Sequence, residues 1–126
     1  MRVWICAAAV NGFIAVAVAS VAAHGLGEVA SAERLEWVDT GVRYQLVHAL
    51  ALLAVALLGD RGGGRPRALG LAGWAFLLGT VLFPGGLYVM AFSGWRDVGA
   101  IVPFGGTAFL IGWAALFVFG LRLRGG

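Results

Sequence analysis

The sequence predicts an all-α polytopic membrane protein, a four-transmembrane-helix bundle with a short interfacial helix between helices one and two. Apolar residues make up 61% of the 126 residues and charged residues only 12%, whereas a soluble domain carries roughly a quarter charged residues. The mean hydropathy is +0.94. The apolar residues form four stretches, each long enough to span a bilayer as a helix, at about 3–23, 41–58, 68–92 and 103–121. We therefore expect a single transmembrane domain over 1–126.

The first stretch has two interpretations. Arg2, the apolar run and the small residues that end it resemble a cleavable signal peptide. However, a signal peptide has an apolar core of roughly 7 to 15 residues, and this run is longer. We therefore expect a retained transmembrane helix.

The connection between the first and second stretches is long enough to hold structure of its own. Ser31 has the character of a helix N-cap, and the residues after it run to Val38 with Leu35 and Trp37 available to enter lipid. This pattern predicts the short interfacial helix. We expect no regular structure in the other two connections, at 59–67 and 93–102.

Arginine counting predicts the orientation. The nine arginines are the only basic residues besides two histidines, and cytoplasmic connections are enriched in such residues. Arg34, Arg43 and Arg96 fall on one side of the membrane. The other side receives Arg2, Arg61, Arg65, Arg67, Arg122 and Arg124. Both termini are therefore predicted to be cytoplasmic.

A few polar residues interrupt the apolar stretches, and they are predicted to gather in the non-cytoplasmic half of the bilayer. On the second helix, spacings of three, four and seven residues put several of them on one face. The candidate polar pocket consists of His24, Arg43, Tyr44, Gln45, His48, Tyr88 and Thr107. Either these side chains satisfy one another as a stabilising network, or they form a small pocket open to the outside that binds an ion, a headgroup or a small solute.

A helix break or kink is predicted in the third stretch. Pro84 cannot donate a backbone hydrogen bond and is followed by Gly85 and Gly86. The carbonyl released by the proline would need a partner, and a polar neighbour in the candidate pocket could supply it.

Several chemistries are not indicated. His24 and His48 have no obvious third ligand for a metal ion, and there is no triad spacing or phosphate loop. We therefore predict no metal, no cofactor and no catalytic residues. The arginines flank apolar segments, which favours a role in topology and excludes nucleic acid as the expected partner.

Small residues at helical spacing indicate close helix packing. They form four ridges: Ala8 with Gly12; Ala15, Ala19 and Ala23; Ala75 with Gly79; and Ala108 with Gly112. Such ridges can join helices within one chain or between chains. Besides the lipid bilayer, a second copy or another membrane protein is therefore a possible partner.

The chain resembles the YgdD-like family of small four-helix inner-membrane proteins, whose function is unassigned. The resemblance lies in Asn11-Gly12-Phe13, Tyr44-Gln45 with His48-Ala49-Leu50-Ala51, Leu82-Phe83 with Gly85 and Leu87-Tyr88, and Gly112-Trp113. Family members tend to have small hydroxyl residues at Pro84 and Gly86 and a threonine at Val102, so this chain lacks those three hydroxyls near the predicted pocket. The resemblance implies a bacterial plasma (inner) membrane location and supplies no reaction.

The sequence thus favours a structural or accessory membrane component without enzymatic activity of its own. The alternative is translocation or binding of a small solute or ion, in an oligomer because four short helices enclose little volume. A weaker alternative is a lipid- or quinone-handling enzyme that uses His48 and Tyr88.

Overall fold

The fold is a bundle of four long helices, as predicted. The computed structural model describes residues 1–25, 31–61 and 66–123, so the predicted contributions of Arg65 and Arg124 to the orientation lie outside the described residues. The helices are α1 (Arg2–His24), α2 (Ala32–Arg61), α3 (Arg67–Ser93) and α4 (Val102–Arg122). No strand occurs among these residues. All four helices are long and apolar enough to cross a membrane, which confirms the predicted fold class.

The predicted interfacial helix is not a separate element. Ser31 does cap a helix, since its hydroxyl accepts the Arg34 N–H at 3.3 Å, but that helix is α2, which continues to Arg61. Gly41 does not end it. An ideal Cβ there would lie 2.6 Å from Cε1 of Tyr88, so the glycine serves close packing against α3. At 30 residues, α2 is about 45 Å long and extends beyond the apolar stretch that hydropathy detects.

Two other expectations about local structure are also corrected. The helix α3 runs through Pro84, Gly85 and Gly86 to Ser93 without leaving the helical conformation. Prolines are tolerated in this way when neighbouring helices surround the helix, and Pro84 is buried. The connection after α3, for which no structure was expected, contains a 3-10 helix, Arg96–Ala100.

Aromatic rings and glycines interlock between α3 and α4. An ideal Cβ at Gly112 would lie 2.5 Å from the ring of Phe76, and one at Gly79 would collide with the ring of Phe109. The two contacts are reciprocal, since a ring of α3 packs on a glycine of α4 and a ring of α4 packs on a glycine of α3. At Gly105 the backbones themselves meet, because an ideal Cβ would lie 2.9 Å from the carbonyl carbon of Leu82. Two of the four predicted small-residue ridges, Ala75 with Gly79 and Ala108 with Gly112, are buried at this contact.

Each helix packs mainly against its neighbours in sequence, α1 on α2, α2 on α3 and α3 on α4. The N-terminus of the chain is close to the end of α2, since an ideal Cβ at Gly59 would collide with the Met1 side chain. We call this end of the bundle, where α1 begins and α4 finishes, the terminal end. The start of α2 meets the α3–α4 connection at the opposite end, where Glu33 and Arg96 form two hydrogen bonds of 2.9 and 3.0 Å.

Candidate functional site

A chain of hydrogen bonds joins the first three helices. The Tyr88 hydroxyl on α3 donates to Oε1 of Gln45 on α2 at 2.7 Å. Nε2 of Gln45 donates in turn to Oδ1 of Asn11 on α1 at 3.0 Å, and Nδ2 of Asn11 donates to the Ala7 carbonyl at 2.9 Å. The amide of Gln45 is thus the central link, because its oxygen binds one neighbouring helix and its nitrogen the other.

His48 has partners at both ring nitrogens. Nε1–H of Trp113 on α4 donates to Nε2 of His48 at 3.1 Å, so Nε2 carries no proton. The proton is therefore on Nδ1, which donates to the Tyr44 carbonyl at 2.7 Å. Both bonds together fix the neutral Nδ1–H tautomer of the imidazole.

Aromatic rings enclose the histidine. The ring of Phe109 stacks on the imidazole with centroids 3.6 Å apart and planes at 9°. Phe76 lies at 5.6 Å in a tilted arrangement and also meets Trp113 edge-on at 5.0 Å. The rings that interlock with the α3 and α4 glycines therefore also form the walls around His48, so helix packing and histidine position depend on the same side chains.

The structure brings together three of the seven residues in the predicted pocket, Gln45, His48 and Tyr88. Tyr44 takes part through its carbonyl, while its ring packs on Phe83 at 4.7 Å between centroids.

The other three lie apart from this cluster. His24 is exposed at the end of α1. Arg43 is also exposed and pairs with Asp39 at 2.7 Å. The Thr107 hydroxyl is exposed and donates to the Pro103 carbonyl of its own helix at 3.1 Å.

Asn11 and Trp113 complete the cluster, although sequence reasoning did not place them in the pocket. Asn11 is only 7% exposed, and an amide in the interior of an apolar helix is itself a signal of an interhelical hydrogen bond. Trp113 carried no such signal, because tryptophan is common in membrane helices and its indole proton cannot be assigned to a partner without the register between helices. Both residues lie near the midpoints of their helices, so the cluster reaches the middle of the bundle.

The polar cluster is closed, in the sense that its buried side-chain nitrogen and oxygen atoms already have hydrogen-bond partners within the chain. Among the described residues, every buried side-chain nitrogen or oxygen has a hydrogen-bond partner. The two amides and the phenol bond to one another and to the Ala7 carbonyl, and the imidazole bonds to the Trp113 indole and the Tyr44 carbonyl. The geometry is that of polar groups stabilising contacts between membrane helices.

Comparison with known proteins identifies the family. The profile of the DUF423 family, described as a protein of unknown function, matches residues 18–106. A UPF0382 membrane protein of Haemophilus influenzae is 45% identical over 108 residues, which cover 86% of this chain and 85% of the relative. The UPF0382 inner membrane protein YgdD of Escherichia coli is 40% identical over 123 residues, with 93% and 88% covered.

A third relative comes from Bacillus subtilis. The UPF0382 membrane protein YwdK of Bacillus subtilis is 38% identical over 122 residues, covering 97% of this chain and 98% of the relative. No solved structure matches the chain significantly. The resemblance seen in the sequence motifs is therefore confirmed. The chain belongs to the DUF423 family of unknown function, whose UPF0382 relatives are named as membrane proteins.

Proposed function

We propose that the chain is a structural or accessory component of the bacterial inner membrane, without enzymatic activity of its own and with both termini in the cytoplasm. The closed polar cluster is the observation that carries this proposal. A translocation path or an active site needs polar groups that face water or a ligand. Gln45 and His48 are 4% and 3% exposed, and their polar atoms bond to neighbouring helices of the same chain.

A groove on the outside of the bundle supports an accessory role. It lies between α1 and α2, has a volume of about 430 Å³ and is almost entirely apolar. Ile5, Ala8, Ala9 and Gly12 form its α1 side, and an ideal Cβ at Gly12 would meet nothing within 4 Å. Small residues let the backbone of another transmembrane helix approach closely. The groove is accordingly the proposed contact for a helix of another chain, whether a second copy or a different membrane protein.

Site-specific photo-crosslinking in native membranes tests this role. A crosslinker at Ala9, in the groove, should trap a discrete product, whereas one at Leu110, an exposed position on α4, should give only scattered products. Gly12→Leu should abolish the discrete product without unfolding the bundle, because the position has open space around it. A product at twice the 13.1 kDa mass of the chain would indicate a second copy.

Two results would overturn the proposal. Indistinguishable products from Ala9 and Leu110 would remove the accessory role. Solute or ion flux into proteoliposomes above that of empty liposomes, and lost in Gln45→Leu, would replace it with translocation.

The orientation has its own support and test. Arginines are concentrated at the terminal end, where Arg2, Arg61, Arg67 and Arg122 lie, and such enrichment favours the cytoplasmic side. A fluorescent protein that folds only in the cytoplasm should be active when fused to the C-terminus. Activity of a periplasm-dependent phosphatase at the same position would reverse the orientation and leave the accessory role untouched.

A further inference from the structure

The terminal end contains a second polar feature that is separate from the cluster around Gln45 and His48. The last turns of α2 and α4 and the first turn of α3 surround a cavity of about 310 Å³. Arg61 lines it on the α2 side and Arg122 on the α4 side.

Neither arginine of this cavity forms an ion pair within the described part of the chain. The ion pairs found there are Asp39 with Arg43 and Glu33 with Arg96, all of them at the opposite end of the bundle. Arg61 and Arg122 therefore present two positive charges to one cavity. The start of α3 also borders the cavity at Ala68, and the first amide N–H groups of a helix attract anions.

The rest of the lining is apolar. Leu58 from α2, Phe119 from α4 and Leu123, directly after α4, form an apolar wall of the cavity. These residues lie at the ends of the membrane-spanning helices, where lipid headgroups meet the acyl chains. A ligand suited to this cavity carries a negative charge at one end and a hydrocarbon chain at the other.

From this combination we infer that the cavity between the ends of α2 and α4 binds an anionic phospholipid. The phosphate lies between Arg61 and Arg122, which can each donate two parallel hydrogen bonds to phosphate oxygens. The first part of one acyl chain runs along Leu58 and Phe119, and the rest of the lipid remains in the bilayer. Basic pockets between transmembrane helices are suited to such headgroups. The inference requires the membrane location of the chain and is independent of its proposed accessory role and orientation.

The test compares lipid retention by charge-matched variants. The purified protein in detergent is mixed with phosphatidylglycerol or with neutral phosphatidylcholine, and bound lipid is measured by native mass spectrometry. We expect the double variant Arg61→Gln/Arg122→Gln to lose about thirtyfold in apparent affinity for phosphatidylglycerol, since each arginine near an anionic headgroup contributes about 1 kcal/mol. The control is Arg34→Gln/Arg43→Gln, which removes the same charge at the opposite end and should retain wild-type binding.

Two further arms identify the source of the anion and the role of the apolar wall. Water-soluble glycerol phosphate should not compete with phosphatidylglycerol, and Leu123→Gln should weaken retention while both arginines remain. Equal losses in the two double variants, equal binding of phosphatidylcholine, or displacement by glycerol phosphate would each overturn the inference. Circular dichroism of every variant verifies that the helices are intact before binding is compared.

Discussion

Polar side chains have opposite environments in the middle of the bundle and at its terminal end. In the middle, Gln45 and His48 are buried and bond to three other helices of the same chain. At the terminal end, Arg61 and Arg122 line an open cavity. A polar group in the hydrocarbon region must find its partner within the protein, whereas an arginine at the interface can bind a headgroup. Depth in the membrane thus decides whether a polar residue stabilises the fold or is available to a ligand.

Two glycines of α4 also differ in their surroundings. Gly105, in the first half of α4, lies against the backbone of α3 at Phe83, whereas an ideal Cβ at Gly120, near the end of α4, would meet nothing within 4 Å. The first turn of α4 therefore packs on α3 without room for a side chain at Gly105, whereas Gly120 has open space around it. Matched substitutions in the middle of the bundle and at its ends test these differences.

The largest loss of stability is expected for Gly105→Ala. The added methyl group would lie 2.7 Å from Cβ of Phe83 and closer still to the Phe83 backbone nitrogen. Since a backbone cannot rotate away as a side chain can, α3 and α4 must separate, at a cost of about 3 kcal/mol in the free energy of unfolding. Gly120→Ala should change it by less than about 1 kcal/mol. Unfolding in mixed micelles with increasing dodecyl sulfate measures both, and equal stability of the two variants would contradict the packing contrast.

A smaller loss is expected for Gln45→Leu. This change removes the bonds to Asn11 and Tyr88 together. Interhelical hydrogen bonds in membranes contribute about 0.6 kcal/mol each on average, so the free energy of unfolding should fall by about 1 to 2 kcal/mol. Thr107→Val is the matched control, because the Thr107 hydroxyl bonds only within α4, and it should cost less than about 0.5 kcal/mol.

The central position of Gln45 also predicts that substitutions of Gln45 and Asn11 have non-additive effects on the free energy of unfolding. Once Gln45 is leucine, Asn11→Leu should cost less than it does in the wild-type background, because the bond between the two amides is already lost. The same unfolding titration measures this double-mutant cycle. Additive costs would show that the two amides do not act as one unit.

The smallest effect is expected at the exposed end opposite the termini. Glu33→Gln removes the exposed ion pair with Arg96, and such pairs are weak and screened by salt. The thermal midpoint should decrease slightly at low ionic strength and match the wild type at high ionic strength. Glu36→Gln removes the same charge from an exposed position three residues further along α2 and should have no comparable effect. A decrease that persists in high salt would indicate a role for Glu33 beyond the ion pair.

The sequence was sufficient to predict the spans, because hydropathy detects the part of each helix that lies in hydrocarbon. It predicted the helix that follows Ser31 but not the continuity of that helix with the second span, because the residues from Ala32 to Thr40 are too polar for hydropathy to detect. The face of α2 that carries Gln45 and His48 could be predicted from helical spacing alone. Their partners Asn11 and Trp113 could not, because the relative height and rotation of two helices depend on side-chain packing, such as the rings of Phe76 and Phe109 in the α3–α4 contact.

The order in which the helices pack has a consequence for biosynthesis. Each helix packs mainly on the one that precedes it in sequence, so every newly inserted helix finds its partner already in the membrane. Asn11, Gln45 and Tyr88 can be joined as soon as α3 leaves the ribosome and enters the bilayer. His48 must wait for Trp113, which the ribosome makes 65 residues later. Arrival of the last helix therefore completes the bundle, and synthesis that stops before α4 leaves an imidazole nitrogen without a partner in the hydrocarbon.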